Sequence, residues 1–178
     1  MTIKRKISFQ EYSEGIEKLA IMISDSGFKP SHIISIARGG LRVGDILSRL
    51  LRVRSSYLGV ESYEVAKKGQ VSDKQKNEVI FSRDISSTTQ DYGTNILIAD
   101  DLVDSGKSLI YTKKFLLDYE AFKGKNINFK TAVLYQKPVS KITPDYVVHK
   151  MIRNDWLIFF YEESELISIS DLKKKHNK

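Results

Sequence analysis

Acidic residues, serines and one glycine follow an apolar run in the segment NILIADDLVDSGKSLIY, residues 95–111. Gly106-Lys107-Ser108 matches the end of a Walker-type phosphate loop, whose full pattern is G-x-x-x-x-G-K-[ST]. With Gly106 as the second glycine, the first falls at position 101, where the chain has Asp101. A carboxylate there repels the phosphates that such a loop encloses. The segment is therefore not a nucleoside-triphosphate loop of this type.

The same segment predicts a different anion site, at the point where a strand turns into a helix. Gly106 permits close approach of the backbone to a ligand, and the first amides of a helix favour a phosphate. The hydroxyls of Ser105 and Ser108 add two donors. Carboxylates beside a phosphate site suit sugar hydroxyls or Mg²⁺. Three of them precede the glycine: Asp100, Asp101 and Asp104.

These side chains need a scaffold that brings strand ends together, and the hydrophobic pattern predicts one. Short runs of β-branched apolar residues at 32–37 and 95–99 are typical of buried parallel strands. Helical spacing follows a capping box at Ser8 and Glu11, and predicts a helix over residues 9–26. The fold class is α/β: an open, mainly parallel, twisted sheet flanked by helices, with its sites at the carboxyl ends of the strands.

Further elements complete this pattern. The segments SSYLGVESY, KTAVLYQK and DYVVHKM predict three more strands. Apolar residues at i, i+3 and i+4 spacing predict a second helix over residues 43–51. A third helix is predicted after the glycine loop, from the spacing of Leu109, Leu116 and Phe122.

A long polar stretch interrupts the alternation between residues 64 and 93, where only EVIFSRDI has strand character. Long polar insertions in small domains are often functional lids. We therefore expect a flexible β-ribbon lid over residues 62–93, beginning at Ser62 and Tyr63.

The composition of the 178 residues fits one globular domain spanning 1–178, with 41% hydrophobic and 29% charged residues. The absence of cysteine excludes disulfides and thiolate metal sites and suits a reducing cytoplasm. No apolar run approaches the ~18 residues of a membrane span, and no secretory signal is present. The net charge of +7 permits a nucleic acid or an anionic small substrate, although its lysine runs are typical of solvated surface.

The segment ILIADDLVDSGKSL closely resembles the phosphoribosyl pyrophosphate (PRPP) motif of type I phosphoribosyltransferases: a hydrophobic run, two acidic residues, two hydrophobics, then D-[ST]-G-x-[ST]. The resemblance implies that Asp100 and Asp101 bind the ribose hydroxyls and Mg²⁺. It implies that Asp104 is the catalytic base. Lys107 fills a variable position. The 5′-phosphate would be bound by the loop Asp104, Ser105, Gly106, Lys107 and Ser108.

Two other segments resemble this family in the expected order. ARGG resembles its pyrophosphate loop, in which Arg38 and Gly39 would hold the leaving diphosphate; Ala37 stands where relatives often have serine. The Ser62-Tyr63 pair resembles the start of the family's lid.

The segment from YQK to FFYEE resembles the base-recognition end of xanthine–guanine and hypoxanthine–guanine enzymes, a small hood at about residues 137–170. By resemblance Lys137 donates to the purine 6-oxo oxygen and Trp156 stacks on the ring. The backbone near Leu157 and the carboxylate of Glu162 meet the 2-position edge. Glu162 replaces the family's aspartate, six residues after the tryptophan.

The resemblance implies transfer of the phosphoribosyl group of PRPP to guanine, xanthine or hypoxanthine in purine salvage, with Mg²⁺ as cofactor. The family's oxocarbenium-like transition state requires a neutralised diphosphate, a base for the purine N7 proton and exclusion of water. A homo-oligomer, dimer or tetramer, is expected by the same resemblance.

Other functions share parts of this pattern. A PRPP-sensing regulator that binds nucleic acid fits the positive charge, but the chain lacks an added helix-turn-helix segment, so nucleic acid is not the expected partner. A second alternative is an enzyme of the same fold that acts on orotate, uracil or adenine. The order of Lys137 and Trp156 argues against each of these substrates. A receiver-like signalling domain could use Asp100-Asp101 but gives the DSGKS continuation no role.

Overall fold

The computed structural model describes residues 3–64 and 77–176, and a six-stranded sheet forms the centre of this part of the chain. Its strand order is β4-β3-β2-β5-β6-β7, and every neighbouring pair is parallel except β3 and β4. This confirms the predicted open, mainly parallel α/β sheet. The strands are β2 (His32–Ala37), β3 (Ser55–Glu64), β4 (Asn77–Phe81), β5 (Asn95–Val103), β6 (Asn128–Gln136) and β7 (Tyr146–Lys150).

Helices cover both faces of this sheet. Side chains alternate between the faces of a strand, so Ile33 and Leu97 pack in one core cluster while Ile34 and Ile96 pack in the other. The first cluster lies under α1 (Phe9–Asp25) and α2 (Gly40–Leu51), and the second lies under α3 (Lys107–Asp118). A short 3₁₀ helix (Glu162–Leu166) and α4 (Ile169–His176) follow near the end of the chain. Among the described residues, no helix has the length and apolarity to cross a membrane.

The prediction for the third helix is wrong at its end. The helix stops at Asp118 because Tyr119 adopts an extended backbone, with φ −70° and ψ 136°. Phe122 lies beyond the helix, in the core, with its ring 5.0 Å from that of Tyr92 and 5.9 Å from that of Phe129. Its spacing therefore reflects burial and not helical periodicity.

A second, two-stranded parallel sheet was not predicted. It pairs β1 (Lys4–Ile7) with β8 (Trp156–Phe159), so that the first strand of the chain meets the last strand beside α1. The predicted capping box is half formed: the Ser8 hydroxyl accepts from the Glu11 amide at 3.1 Å. The Glu11 carboxylate instead accepts from the Tyr135 hydroxyl at 2.8 Å, which joins α1 to β6.

The predicted lid lies partly outside the described residues, which omit 65–76 and the side chains of Ser62 and Tyr63. The backbones of Ser62 and Tyr63 are described, and β3 and β4 form an antiparallel ribbon there. Further along, Ile85 and Tyr92 are buried in the core under α3. Phe81 at the end of β4 packs against the same core and stacks on Phe115, and movement of the ribbon stays a prediction.

Candidate active site

Two neighbouring strands end together and bring Asp104 and Lys137 side by side. Val103 of β5 pairs with Gln136 of β6, and the Lys137 amide donates to the Val103 carbonyl at 2.8 Å. Asp104 and Lys137 are the next residue of each strand. The Lys137 ammonium therefore reaches the Asp104 carboxylate, with 2.9 Å between Nζ and Oδ2. The parallel register assembles this pair from residues 33 positions apart.

The Lys137–Asp104 pair is asymmetric in its exposure. Lys137 is buried, whereas the Asp104 side chain is 57% exposed. Trp156 is 59% exposed, and its ring centroid lies 5.6 Å from the Lys137 ammonium. An open tryptophan face next to a fixed donor and an accessible carboxylate suits a flat ligand with both polar and apolar parts. The structure thus brings three of the predicted site residues together.

The predicted phosphate loop begins α3 as expected. Gly106 has φ +86°, a left-handed conformation that favours glycine, and a Cβ there would lie 2.6 Å from Ile142 Cγ1. The Ser105 carbonyl accepts from the Lys141 amide at 3.2 Å, which ties the loop to the β6–β7 connection. The Lys107 amide donates to the Ser105 hydroxyl over a long 3.4 Å, and the next amides of α3 have no acceptor within the helix and can bind an anion.

Two adjacent carboxyl groups lie near the end of β5, with Asp100 buried and Asp101 half-buried. Burial, and then repulsion from Asp101, raises the pKa of Asp100 well above its usual range. Burial also raises the pKa of Asp101, although a hydrogen bond from the Tyr161 hydroxyl opposes this shift. Within residues 3–64 and 77–176 neither carboxylate has an ion-pair partner. Two adjacent carboxyl groups without a cationic partner can hold a bound cation.

The predicted pyrophosphate loop packs tightly against this carboxylate pair. The Ala37–Arg38 peptide is cis, and the Arg38 side chain is exposed with its guanidinium 3.2 Å from the Glu165 carboxylate. A Cβ on Gly39 would lie 2.4 Å from Asp101 Oδ2. Only a residue without a side chain leaves the Asp101 carboxylate in its present position.

Alanine at the two glycines of this loop is expected to have different effects. A Cβ on Gly40 would lie 2.6 Å from the Ala99 carbonyl oxygen, and backbone cannot move aside cheaply. We expect Gly40→Ala to lower the free energy of unfolding by about 1–3 kcal/mol. Gly39→Ala meets only a carboxylate tip and is expected to cost less. Urea unfolding of both variants checks this, and a Gly40→Ala midpoint equal to wild type contradicts it.

Glu162 contacts the backbone of β8 and Leu157 packs in the core, so the contacts of both with a purine stay a prediction. Glu162 accepts from the Phe159 amide at 2.8 Å, and burial raises the pKa of its carboxyl. It lines a cleft that also contains Arg38, Gly39 and Asp101. The Leu157 side chain is buried in the core, which leaves only its backbone for a ligand.

Sequence reasoning missed three residues around this cleft. Tyr161 donates to Asp101, and the Arg42 guanidinium lies 4.3 Å from the Tyr161 ring centroid. Tyr12 is buried against Tyr161, and within the described part of the chain its hydroxyl has no hydrogen-bond partner. Arg42 could have been identified from the sequence as a candidate site residue, because it follows Arg38 by four positions. Nothing local in the sequence indicates that Tyr161 reaches Asp101, 60 residues away.

Comparison with known proteins places the chain among one family. The model of the phosphoribosyl transferase domain matches residues 8–165. A xanthine-guanine phosphoribosyltransferase from Ruegeria sp. is 28% identical over 162 residues, covering 86% of this chain and 82% of the relative.

Solved structures agree with that match. A purine phosphoribosyltransferase from Pyrococcus horikoshii has a TM-score of 0.68 and 26% identity, with coverage of 89% of this chain and 93% of that chain. A xanthine-guanine-hypoxanthine phosphoribosyltransferase from Helicobacter pylori has a TM-score of 0.74 over 96% of this chain and 99% of that chain. The similarity to the Helicobacter pylori structure, at 23% sequence identity, shows only that the fold is shared.

Proposed function

The chain belongs to the phosphoribosyl transferase domain family, and on that premise we propose that it transfers the 5-phosphoribosyl group of PRPP to a 6-oxopurine. The products are the purine nucleoside 5′-monophosphate and pyrophosphate, as in purine salvage. The observation that carries the proposal is the group formed by Asp104, Lys137 and Trp156. The proposal is supported by the names of the Ruegeria and Pyrococcus relatives, which are a xanthine-guanine and a purine phosphoribosyltransferase.

The proposed base site matches the chemistry of a 6-oxopurine. The Lys137 ammonium is a donor held in place by burial, and it faces the position of an acceptor such as the 6-oxo oxygen. The Trp156 face covers the flat ring. Adenine has an amino group at the 6-position, so two donors would meet there. Guanine, xanthine and hypoxanthine share the acceptor and are the proposed substrates.

The phosphate and sugar of PRPP fit the end of β5 and the start of α3. The loop Asp104–Ser108 is the proposed 5′-phosphate site, and its first helical amides supply the donors. Asp100 and Asp101 are the proposed partners of the ribose hydroxyls. Arg38 and the backbone at Gly39 are the proposed diphosphate partners, and the Arg38–Glu165 ion pair opens when they bind.

The carboxylate pair fits Mg²⁺, the cofactor that the family resemblance implies. Asp100 and Asp101 supply hard oxygen donors, and their raised pKa values reflect buried negative charge that a cation would relieve. In the described residues, no group of three or more metal-binding side chains occurs. The remaining ligands would therefore be substrate oxygens and water. When bound, Mg²⁺ supplies charge neutralisation for the diphosphate.

The proposed reaction breaks the bond from ribose C1 to the diphosphate oxygen and forms a bond from C1 to a purine nitrogen. The departing diphosphate keeps the electron pair of the broken bond. The purine gives its N7 proton to the exposed Asp104 carboxylate, which lies beside the proposed base site. Lys137 holds the 6-oxo oxygen meanwhile, and closure of the ribbon from Ser62 would exclude water.

The proposed activity is tested with a panel of free bases, PRPP and Mg²⁺, scored by the nucleotide formed and the pyrophosphate released. We expect nucleotide from guanine, xanthine or hypoxanthine and none from adenine, uracil or orotate. Product only from one of the latter three overturns the base assignment. Tight nucleic-acid binding at physiological salt without any nucleotide product favours the regulator.

We further propose a homo-oligomer, a single 1–178 domain and a cytoplasmic location. The family resemblance supports the homo-oligomer. The absence of cysteine agrees with a reducing compartment such as the cytoplasm. Sedimentation velocity distinguishes a monomer of 20.4 kDa from a dimer or tetramer.

A further inference from the structure

The cleft beside Arg38 contains a second arginine to which the proposed function assigns no role. The cleft has a volume of about 550 Å³, and Arg38, Arg42, Asp101 and Tyr161 are among its lining residues. Arg42 lies in the first turn of α2, four residues after Arg38. Both side chains line the same cleft, although Arg38 precedes the helix and Arg42 belongs to it.

Arg42 differs from the neighbouring arginines in its contacts. Across the described residues it forms no ion pair, whereas Arg38 pairs with Glu165 at 3.2 Å and Arg49 pairs with Asp45 at 3.1 Å. The guanidinium of Arg42 instead lies over the Tyr161 ring, 4.3 Å from its centroid. An aromatic face holds a guanidinium in place without cancelling its charge.

Tyr161 is itself fixed at both ends. Its hydroxyl donates to the Asp101 carboxylate. Its ring stacks on Phe159, with 5.4 Å between centroids and 3° between planes, and meets Tyr12 edge-on at 5.8 Å. Tyr12 and Phe159 are both buried core residues. Tyr161 therefore contacts both Asp101, a proposed metal ligand, and Arg42.

We propose that Arg42 is a second diphosphate-binding cation and that Tyr161 is the positioning residue that holds it over the cleft. The inference rests on the proposed function and extends it. The cleft already contains the carboxylates of Asp101, Glu162 and Glu165, so Arg38 alone leaves it short of positive charge for a diphosphate. Arg42 supplies a planar donor group that suits phosphate oxygens.

Calorimetric titration of the full chain with pyrophosphate and Mg²⁺ tests Arg42 without any turnover. We expect Arg42→Ala to weaken pyrophosphate binding about tenfold, the loss of one charge-assisted contact. Arg49→Ala is the matched control, because Arg49 is an exposed arginine of the same helix already paired with Asp45. It is expected to bind pyrophosphate as wild type does.

Three results overturn the assignment of Arg42. They are unchanged binding in Arg42→Ala, an equal loss in Arg49→Ala, and no pyrophosphate binding by wild type. The assignment can fail while the enzyme makes nucleotide, and the proposed function can fail while pyrophosphate still binds through Arg42. In turnover, Arg42→Ala is expected to raise the KM for PRPP and leave the KM for the purine unchanged.

The role of Tyr161 is tested by comparing Tyr161→Phe with Tyr161→Leu, which differ only in the ring. The step from phenylalanine to leucine is expected to weaken pyrophosphate binding when Arg42 is present. The same step is expected to have no effect when combined with Arg42→Ala. An equal loss in both backgrounds makes Tyr161 a structural residue only and overturns its positioning role.

Discussion

Asp104→Asn is expected to lower kcat by about 10²–10⁴-fold, the usual contribution of a positioned general base. The Asp104 carboxylate is exposed and lies 2.9 Å from the Lys137 ammonium, next to the proposed purine position. An amide keeps the size of the side chain and an acceptor for Lys137 but cannot take the purine proton. Steady-state kinetics with guanine and PRPP measures the effect, and the KM for PRPP is expected to change little.

The same substitution leaves the buried Lys137 charge without its partner, so stability must be measured alongside activity. Lys137 is the buried member of this pair, and a buried charge that loses its counter-charge is costly. Asp104→Glu is the matched control, because it retains the negative charge and displaces the carboxylate by one methylene. We expect it to recover thermal stability and part of kcat. Full turnover in a folded Asp104→Asn enzyme contradicts the role of Asp104 as the base.

Trp156→Ala is expected to weaken purine and nucleotide binding by about 10–100-fold, from the ~1–3 kcal/mol typical of stacking between a base and an aromatic ring. The KM for PRPP is expected to stay near its wild-type value, because the phosphate loop and Arg38 lie on other elements. Trp156 is largely exposed, so its removal is not expected to open a core cavity. Kinetics with each substrate varied in turn separates the two effects.

Trp156 also provides its own signal, because it is the single tryptophan of the chain. Guanosine 5′-monophosphate is expected to quench its fluorescence as the purine stacks, whereas ribose 5-phosphate is expected not to. Trp156→Phe is the matched control for kinetics and should retain most purine affinity. Equal losses of purine and PRPP binding in Trp156→Ala indicate a structural tryptophan.

Local patterns in the sequence were sufficient for the strand ends and for the glycine turn that begins α3. β5 and α3 are each continuous in sequence, and the glycine between them is required by its φ of +86°. That Asp104 meets Lys137 was not predicted from the sequence, because the contact requires two parallel neighbouring strands of matching length. The β5–β6 register supplies them.

The other side of the cleft could not be predicted because it depends on contacts between distant segments. β8 pairs with β1, although Trp156 at the start of β8 follows Ile7 at the end of β1 by 149 positions in the sequence. That pairing carries the chain onward to Tyr161, which then reaches back to Asp101 and Arg42. Phe122 shows the opposite error, since its helical spacing came from burial beyond the end of α3.

A crystal structure with guanosine 5′-monophosphate bound is the sharpest test that one site holds both the purine and its phosphate. We expect the 6-oxo oxygen within hydrogen-bonding distance of Lys137 Nζ and the purine ring on the Trp156 face. The 5′-phosphate is expected at the amides of residues 105–108. A nucleotide whose base lies away from Trp156, or whose phosphate lies outside that loop, contradicts the proposed site.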